Sequence, residues 1–186
     1  MTKTPPTKNA DTAAANSNDS TPIFAQTIGP FGVSVAMYQP DMPQNVGAMM
    51  RLCACLDVPL HIIEPCGFIW KEKEFRRTGM DYTGLVDCRR HISWTEFMTN
   101  IGGVAGQRLV LLTTKASESL SGFTFRHGDI LLVGRESAGV PDEIHTAIPN
   151  RIRIPMKAGA RSLNVVNAAA IILGEGLRQT KAFPVS

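Results

Sequence analysis

Two uninterrupted apolar runs constrain this chain most: residues 108–114 (RLVLLTT) and 129–134 (DILLVG). A strand with one wet face alternates apolar and polar positions, whereas a run apolar at successive positions must be covered on both faces. Both runs are short and rich in Leu, Ile and Val, which favours buried strands over helices. Strands covered on both sides belong to parallel sheets, whose connections cross over through helices. The rest of the chain reads the same way. Strands are expected at 33–38 (VSVAMY), 60–64 (LHIIE), 151–156 (RIRIPM) and, weakly, 84–88, with helices at 45–56, 71–80, 94–99, 141–147 and 162–179. Pro141 suits a first helical turn. The alternation predicts an α/β fold: a parallel sheet with helices on both faces. The last helix is apolar nearly all round (Leu163, Val165, Val166, 168–173), so it needs burial on more than one side. The second side is expected to be another subunit, with Ile172 in the contact.

Residues 1–22 contain no aromatic and no branched aliphatic residue. Such a segment cannot bury enough surface to offset its ordering entropy, so a disordered tail is expected. One domain is then expected over 23–186, beginning with a loosely packed lead-in at 23–32. Lys3 and Lys8 cancel Asp11 and Asp19, which leaves the net charge of +3 on the folded body. With a pI near 8.8, nucleic acid is permitted as a partner but not demanded. The four cysteines, Cys53, Cys55, Cys66 and Cys88, include no Cys-x-x-Cys pair, so they read as reduced core residues and not as a zinc or redox site. His61 lies in an apolar run and reads as a packed histidine. No metal is expected. No segment has the length of a membrane span, and no apolar core follows the early lysines, so neither membrane nor signal peptide is expected. The expected location is the cytoplasm.

Three loops could carry chemistry, since open parallel sheets bind ligands at the carboxyl ends of their strands. The first is Asn45-Val46-Gly47-Ala48-Met49-Met50-Arg51, which could equally be an Asn cap, a helix glycine and a surface arginine. The second is Gly134-Arg135-Glu136-Ser137-Ala138-Gly139-Val140-Pro141. It is no P-loop, no nucleophile elbow and no dinucleotide fingerprint. Its glycines let the backbone approach a ligand closely, or simply make a turn. The third runs from Ile154-Pro155-Met156 to Ser162-Leu163-Asn164, with Ser162 placed to cap the last helix. Basic residues gather at Lys71, Lys73, Arg76 and Arg77, at Arg89, Arg90 and His91, and at Arg151, Arg153, Lys157 and Arg161. Taken singly each is a solvated face. Beside ligand-type loops they could contact phosphates.

In this order the loops resemble the three motifs of the SPOUT class of RNA methyltransferases: Asn45-x-Gly47-x-x-x-Arg51, then Gly134-x-Glu136-x-x-Gly139-x-Pro141, then Ile154 to Asn164. His61-Ile62-Ile63-Glu64-Pro65, Gly67-Phe68 and Arg76-Arg77-x-Gly79-x-Asp81-Tyr82 resemble segments of its minimal tRNA wobble 2'-O-methyltransferase branch, the TrmL or YibK type. The likeness spans roughly residues 33–179. It implies a SPOUT fold with a C-terminal trefoil knot, where pattern alone predicts an unknotted sheet. It implies a homodimer that uses S-adenosylmethionine, without metal, to methylate the ribose 2'-hydroxyl of the wobble nucleotide in tRNA anticodon loops. The alternative is ribosomal RNA or another tRNA site. A non-catalytic RNA binder and a dinucleotide oxidoreductase fit less well, the latter because Pro40 and Pro43 stand where its glycines belong. Carried over residue by residue, Arg51 and Asn45 are catalytic. Leu112, Thr113, Gly134, Glu136, Ile154, Met156, Ser162 and Leu163 bind the cofactor. Arg76, Arg77, Lys157, Arg161 and Asn164 serve the RNA. One departure is Gly174-Glu175-Gly176-Leu177-Arg178, where the branch carries Tyr-Glu-Ala-Trp-Arg.

Overall fold

A computed structural model describes Met1 and residues 32–70, 85–102 and 105–185. The expected tail, most of the lead-in, and the helix expected over 71–80 with Lys71, Lys73, Arg76 and Arg77 lie outside the described residues. In chain order the elements are β1 (Val33–Tyr38), α1 (Pro43–Cys55), β2 (Leu60–Ile63), β3 (Cys88–His91), α2 (Trp94–Gly102), β4 (Arg108–Leu112), β5 (Glu118–Ser119), a single 3-10 turn (Leu120–Gly122), β6 (Asp129–Val133), α3 (Asp142–Ala147), β7 (Asn150–Arg153) and α4 (Val165–Thr180).

The strands form one seven-stranded sheet in the order β3-β2-β1-β6-β4-β7-β5. Every pairing is parallel, with Val33 opposite Asp129 and Arg108 opposite Asp129 at the centre. Alternate side chains of the central strands feed two cores. Val33, Val35 and Met37 of β1 and Leu131 and Val133 of β6 meet Met49 and Cys53 of α1 and Ala169, Ile172 and Leu173 of α4. Ala36, Tyr38, Ile130 and Leu132 face the other way, onto Phe97 and Ile101 of α2 and Ile144 of α3. This is why the central runs are apolar at successive positions. At the amino ends of the strands the buried carboxylate of Asp129 takes 2.7 and 2.6 Å hydrogen bonds from Arg108, which satisfies a charge that would be costly alone.

Several local expectations are corrected. The strand expected at 84–88 lies at Cys88–His91. It is polar because it is an edge strand, and its arginines pair with Asp87 and Glu64, both at 2.7 Å. The two-residue β5 carries too little pattern to be read from sequence. Pro141 is the N-cap of α3, not its first helical residue. The cap of α4 is Asn164, not Ser162: its Oδ1 accepts from the backbone N–H of Val166 at 2.9 Å. Asn45 is no cap either, since α1 begins after Met42 and encloses it. Ile172, expected in a contact with another subunit, is instead 1% exposed in the core of this chain, whereas Ile171 beside it is 46% exposed. The packed His61 is as expected, 4% exposed with Nδ1 3.0 Å from Nε2 of His91. All four cysteines are free thiols. Burial is the main reason that the Cys88 thiol is pushed up to about 12 and Cys66 to about 11.

Candidate functional site

β6, β4 and β7 are neighbours, so their carboxyl ends open side by side. There lies a cavity of about 410 Å³. Leu112 ends β4 and Thr113 follows it, Gly134 and Glu136 follow β6, and Ile154 and Met156 follow β7. Ser162, Leu163 and Asn164 close it from the approach to α4. All eight residues expected to bind a cofactor line this cavity, together with Asn45 and Asn164. Met42, Thr114, Arg135 and Ala168 also line it and were not expected. Its wall combines apolar side chains with a few hydroxyls and amides, the mix that seats a flat ring and orients its polar edges.

The three loops are joined by one chain of side-chain hydrogen bonds. Nδ2 of Asn45 donates to Oε1 of Glu136 at 2.8 Å, and Nδ2 of Asn164 donates to Oδ1 of Asn45 at 3.1 Å. Asn164 then caps α4 through its own Oδ1. The second Glu136 oxygen accepts from the backbone N–H of Asp41 at 2.8 Å. Both ends of the buried Asn45 amide are therefore used inside the protein, and Glu136 serves as an acceptor between loops. Sequence reasoning found these residues but not this connection, because each partner lies some ninety or more positions away.

The 134–139 turn explains its glycines. Arg135 and Gly139 exchange backbone hydrogen bonds of 2.9 and 2.8 Å. A Cβ at Gly134 would stand 2.5 Å from the carbonyl carbon of Gly139, and Gly139 itself sits at φ +71. The glycine at 134 makes room for the turn's own return, not in the first place for a ligand.

A second group was missed by sequence reasoning. Asp41 Oδ1 accepts from Arg135 Nε and Nη2 at 3.0 and 2.6 Å, and its Oδ2 accepts from the Ser137 backbone N–H and hydroxyl at 3.0 and 2.6 Å. The Arg135 guanidinium and the Ser137 hydroxyl hold the Asp41 carboxyl down at about 2. An acidic residue between Pro40 and Pro43 was the available signal. Arg51 lies in the last half of α1 with an exposed side chain, and does not line the cavity. Lys157 and Arg161 are exposed on the third loop. Arg76 and Arg77 lie outside the described residues. Of the other basic clusters, His91 is buried at 2% exposure and Arg151 donates to the carbonyl of His145 at 2.8 Å. These two do not form an open cationic face.

The profile of the SpoU rRNA Methylase family matches residues 32–174. A Beijerinckia indica protein named tRNA (cytidine(34)-2'-O)-methyltransferase is 55% identical over 149 residues, covering 80% of this chain and 92% of that protein. A solved structure described as giving structural insights into the 2-OH methylation of C/U34 on tRNA is 37% identical, with a TM-score of 0.75, covering 81% of this chain and 97% of that one. The SpoU methyltransferase AviRb of Streptomyces viridochromogenes, solved in complex with the cofactor AdoMet, is 29% identical with a TM-score of 0.69, covering 81% of this chain and 58% of that one.

Proposed function

Because this chain belongs to the SpoU rRNA methylase family, we infer that it transfers a methyl group from S-adenosylmethionine to the ribose 2'-hydroxyl of the wobble nucleotide, C34 or U34, in tRNA. The observation that carries this reading is the single cavity on which all three motifs converge. The tRNA target is preferred to a ribosomal one because the relatives that this chain covers almost completely are described as acting on position 34 of tRNA.

The cavity fits the cofactor by size and chemistry. Its volume of about 410 Å³ lies in the range of small-molecule sites. Leu112, Ile154, Met156 and Leu163 offer apolar contact to a ring and a thioether, while Thr113, Ser162 and the strand-end backbone offer hydrogen bonds. When bound, the cofactor supplies an electrophilic methyl group on a sulfonium. The protein's task is to orient the ribose and make its oxygen more nucleophilic. Arg51 does not act as a base, because a guanidinium offers hydrogen-bond donors and no acceptor. It grips an RNA phosphate next to the reacting ribose and stabilises the developing oxyanion. Asn45 positions the Arg51 helix against the cavity through Glu136 and Asn164. Lys157 and Arg161, with Arg76 and Arg77, hold the anticodon stem-loop by its phosphates.

In the same reading the enzyme is a cytoplasmic homodimer without metal. The C-terminal segment threads a loop, giving a trefoil knot that forms the cofactor pocket. The protomers meet through α4, on the side that exposes Ile171, and each brings its Arg51 near the partner's cavity. Among the described residues no helix is long and apolar enough to cross a membrane.

Two measurements test this. Mapping 2'-O-methylation in RNA from cells lacking the protein is expected to show loss at tRNA position 34 alone; an unchanged wobble nucleotide would refute the assignment. Arg51→Ala is expected to cut single-turnover rates by about a hundredfold or more while S-adenosylhomocysteine still binds as in wild type. Near-normal rates would remove Arg51 from the mechanism.

A further inference from the structure

Helix α1 begins without a cap of its own. Met42 stands at the N-cap position with no side-chain hydrogen bond, and the first turn contains no acidic residue. The start of a helix carries free N–H groups and partial positive charge, so something must satisfy it. Here the 134–139 turn sets a carboxylate beside it. Glu136 places its carboxylate at the helix start, taking the Asp41 N–H on one oxygen and the Asn45 amide on the other. Asp41 returns the contact, with its two oxygens receiving four hydrogen bonds from Arg135 and Ser137. The two segments therefore grip each other reciprocally through two carboxylates pointing in opposite directions. A third segment backs Asp41 from behind. Gly67 donates to the carbonyl of Pro40 at 2.9 Å, and a Cβ on it would stand 2.9 Å from the Asp41 Cα.

We propose that Asp41 is a positioning residue for methyl transfer: its carboxylate clamps the cofactor-binding turn to the start of α1 and so fixes the cavity wall relative to the helix that presents Arg51. The proposal rests on the transferase reading above. Asp41 does not itself line the cavity, whereas Met42, Arg135 and Glu136 on either side of the clamp do. It therefore acts through those neighbours. Oδ1 is held by a guanidinium that never loses its charge, and the Asp41 carboxyl titrates at about 2, so the clamp stays closed throughout the working pH range. A planar fork on one oxygen and a backbone N–H on the other also fix the angle between the segments, which a single surface contact would leave free.

The test uses the full chain, an anticodon stem-loop RNA and S-adenosylhomocysteine. Asp41→Asn keeps the size but turns an amide towards a donor, either Ser137 N–H or Arg135. It is expected to weaken S-adenosylhomocysteine and lower kcat by roughly tenfold to a hundredfold, the worth of a charge-assisted hydrogen bond. The KM for RNA is expected to move by less than about twofold, since no RNA contact is lost. Arg135→Lys is expected to recover part of what Arg135→Ala loses. Asp41→Ala combined with Arg135→Ala is expected to cost no more than the worse single change, because both break one device. Additive losses would overturn the proposal. So would an Asp41→Asn protein that melts earlier yet, while folded, binds S-adenosylhomocysteine and turns over like wild type. A wild-type protein that methylates no RNA would fail the transferase reading itself, an outcome distinct from an active wild type matched by Asp41→Asn.

Discussion

Gly134 excludes every side chain because its neighbour is backbone, which cannot swing aside as a flexible side chain would. With the Gly139 carbonyl carbon 2.5 Å and the Val140 nitrogen 2.8 Å from a Cβ, Gly134→Ala forces the turn open. The expected result is destabilisation by about 2 kcal/mol or more in urea unfolding together with lost S-adenosylhomocysteine binding. Unaltered stability with lost binding would mean that the ligand, and not the turn, needs the space. A different residue-level effect concerns His61 and His91. Their facing nitrogens can share one hydrogen only while at least one ring stays uncharged, and the Asn100 amide stands 3.4 Å from the far nitrogen of His91. Burial first, and His91 second, hold His61 down at about 4, and burial also lowers His91. The folded value lies below the ordinary 6.5, so the unfolded chain takes up protons first as the solution is acidified. Stability is therefore full above about pH 6.5 and falls as pH drops towards 4, by up to roughly 3 kcal/mol for His61 at the end of that window. Urea midpoints at pH 6.5 and 5 are expected to differ more in wild type than in His61→Gln, and equal slopes in the two proteins would discount the pair.

At the scale of elements, α4 separates two neighbouring isoleucines. Ile172 faces the sheet, so Ile172→Asp is expected to unfold the protomer by placing an unpaired charge in the core. Ile171 faces outward, so Ile171→Asp is expected to leave the chain folded and, in the proposed dimer, to shift sedimentation towards monomer. A dimer of unchanged strength would move the interface off this face. The same helix shows what could be read from sequence and what could not. Its extent and apolar character were plain, but an all-round apolar pattern does not say which side meets its own sheet, and that assigned Ile172 to the wrong surface. Its cap was misplaced by two residues because Ser162 and Asn164 are both good acceptors. Only the hydrogen bond from Asn164 to Asn45 shows why the second is used. Strands β1, β4 and β6 were legible because burial on both faces leaves little freedom of composition. β3 was not, because an edge strand with Arg89 and Arg90 paired to carboxylates has no apolar pattern to show. The cavity wall came from resemblance, residue by residue. Asp41 was invisible to that method, since its importance lies in partners about ninety positions away.

At the scale of the whole molecule, the net charge of +3 is too small to bind RNA by bulk attraction, so a few placed cations must do it. If Lys157, Arg161, Arg76 and Arg77 each meet one phosphate of a single-stranded loop, log affinity for an anticodon stem-loop should fall against log salt with a slope of roughly −3. Fluorescence anisotropy between low and moderate salt measures this, and a flat line would remove these residues from the interface. The sheet order has a further outcome for how the protein is made. β1 at residues 33–38 has a partner on one side, β2, soon after it is synthesised, but its other partner, β6, does not exist until residue 133 has left the ribosome. Among the described residues every strand pairing is parallel, so none of these strands zips early as a hairpin, and loop closure over such distances is slow. The pocket comes later still, since Ser162 to Ala168 form its last wall. A nascent chain therefore carries half-covered apolar strands for most of its translation, and one halted short of α4 lacks the last wall of the cavity. A broken message that ends before α4 is therefore expected to yield a fragment with weakened hold on S-adenosylmethionine.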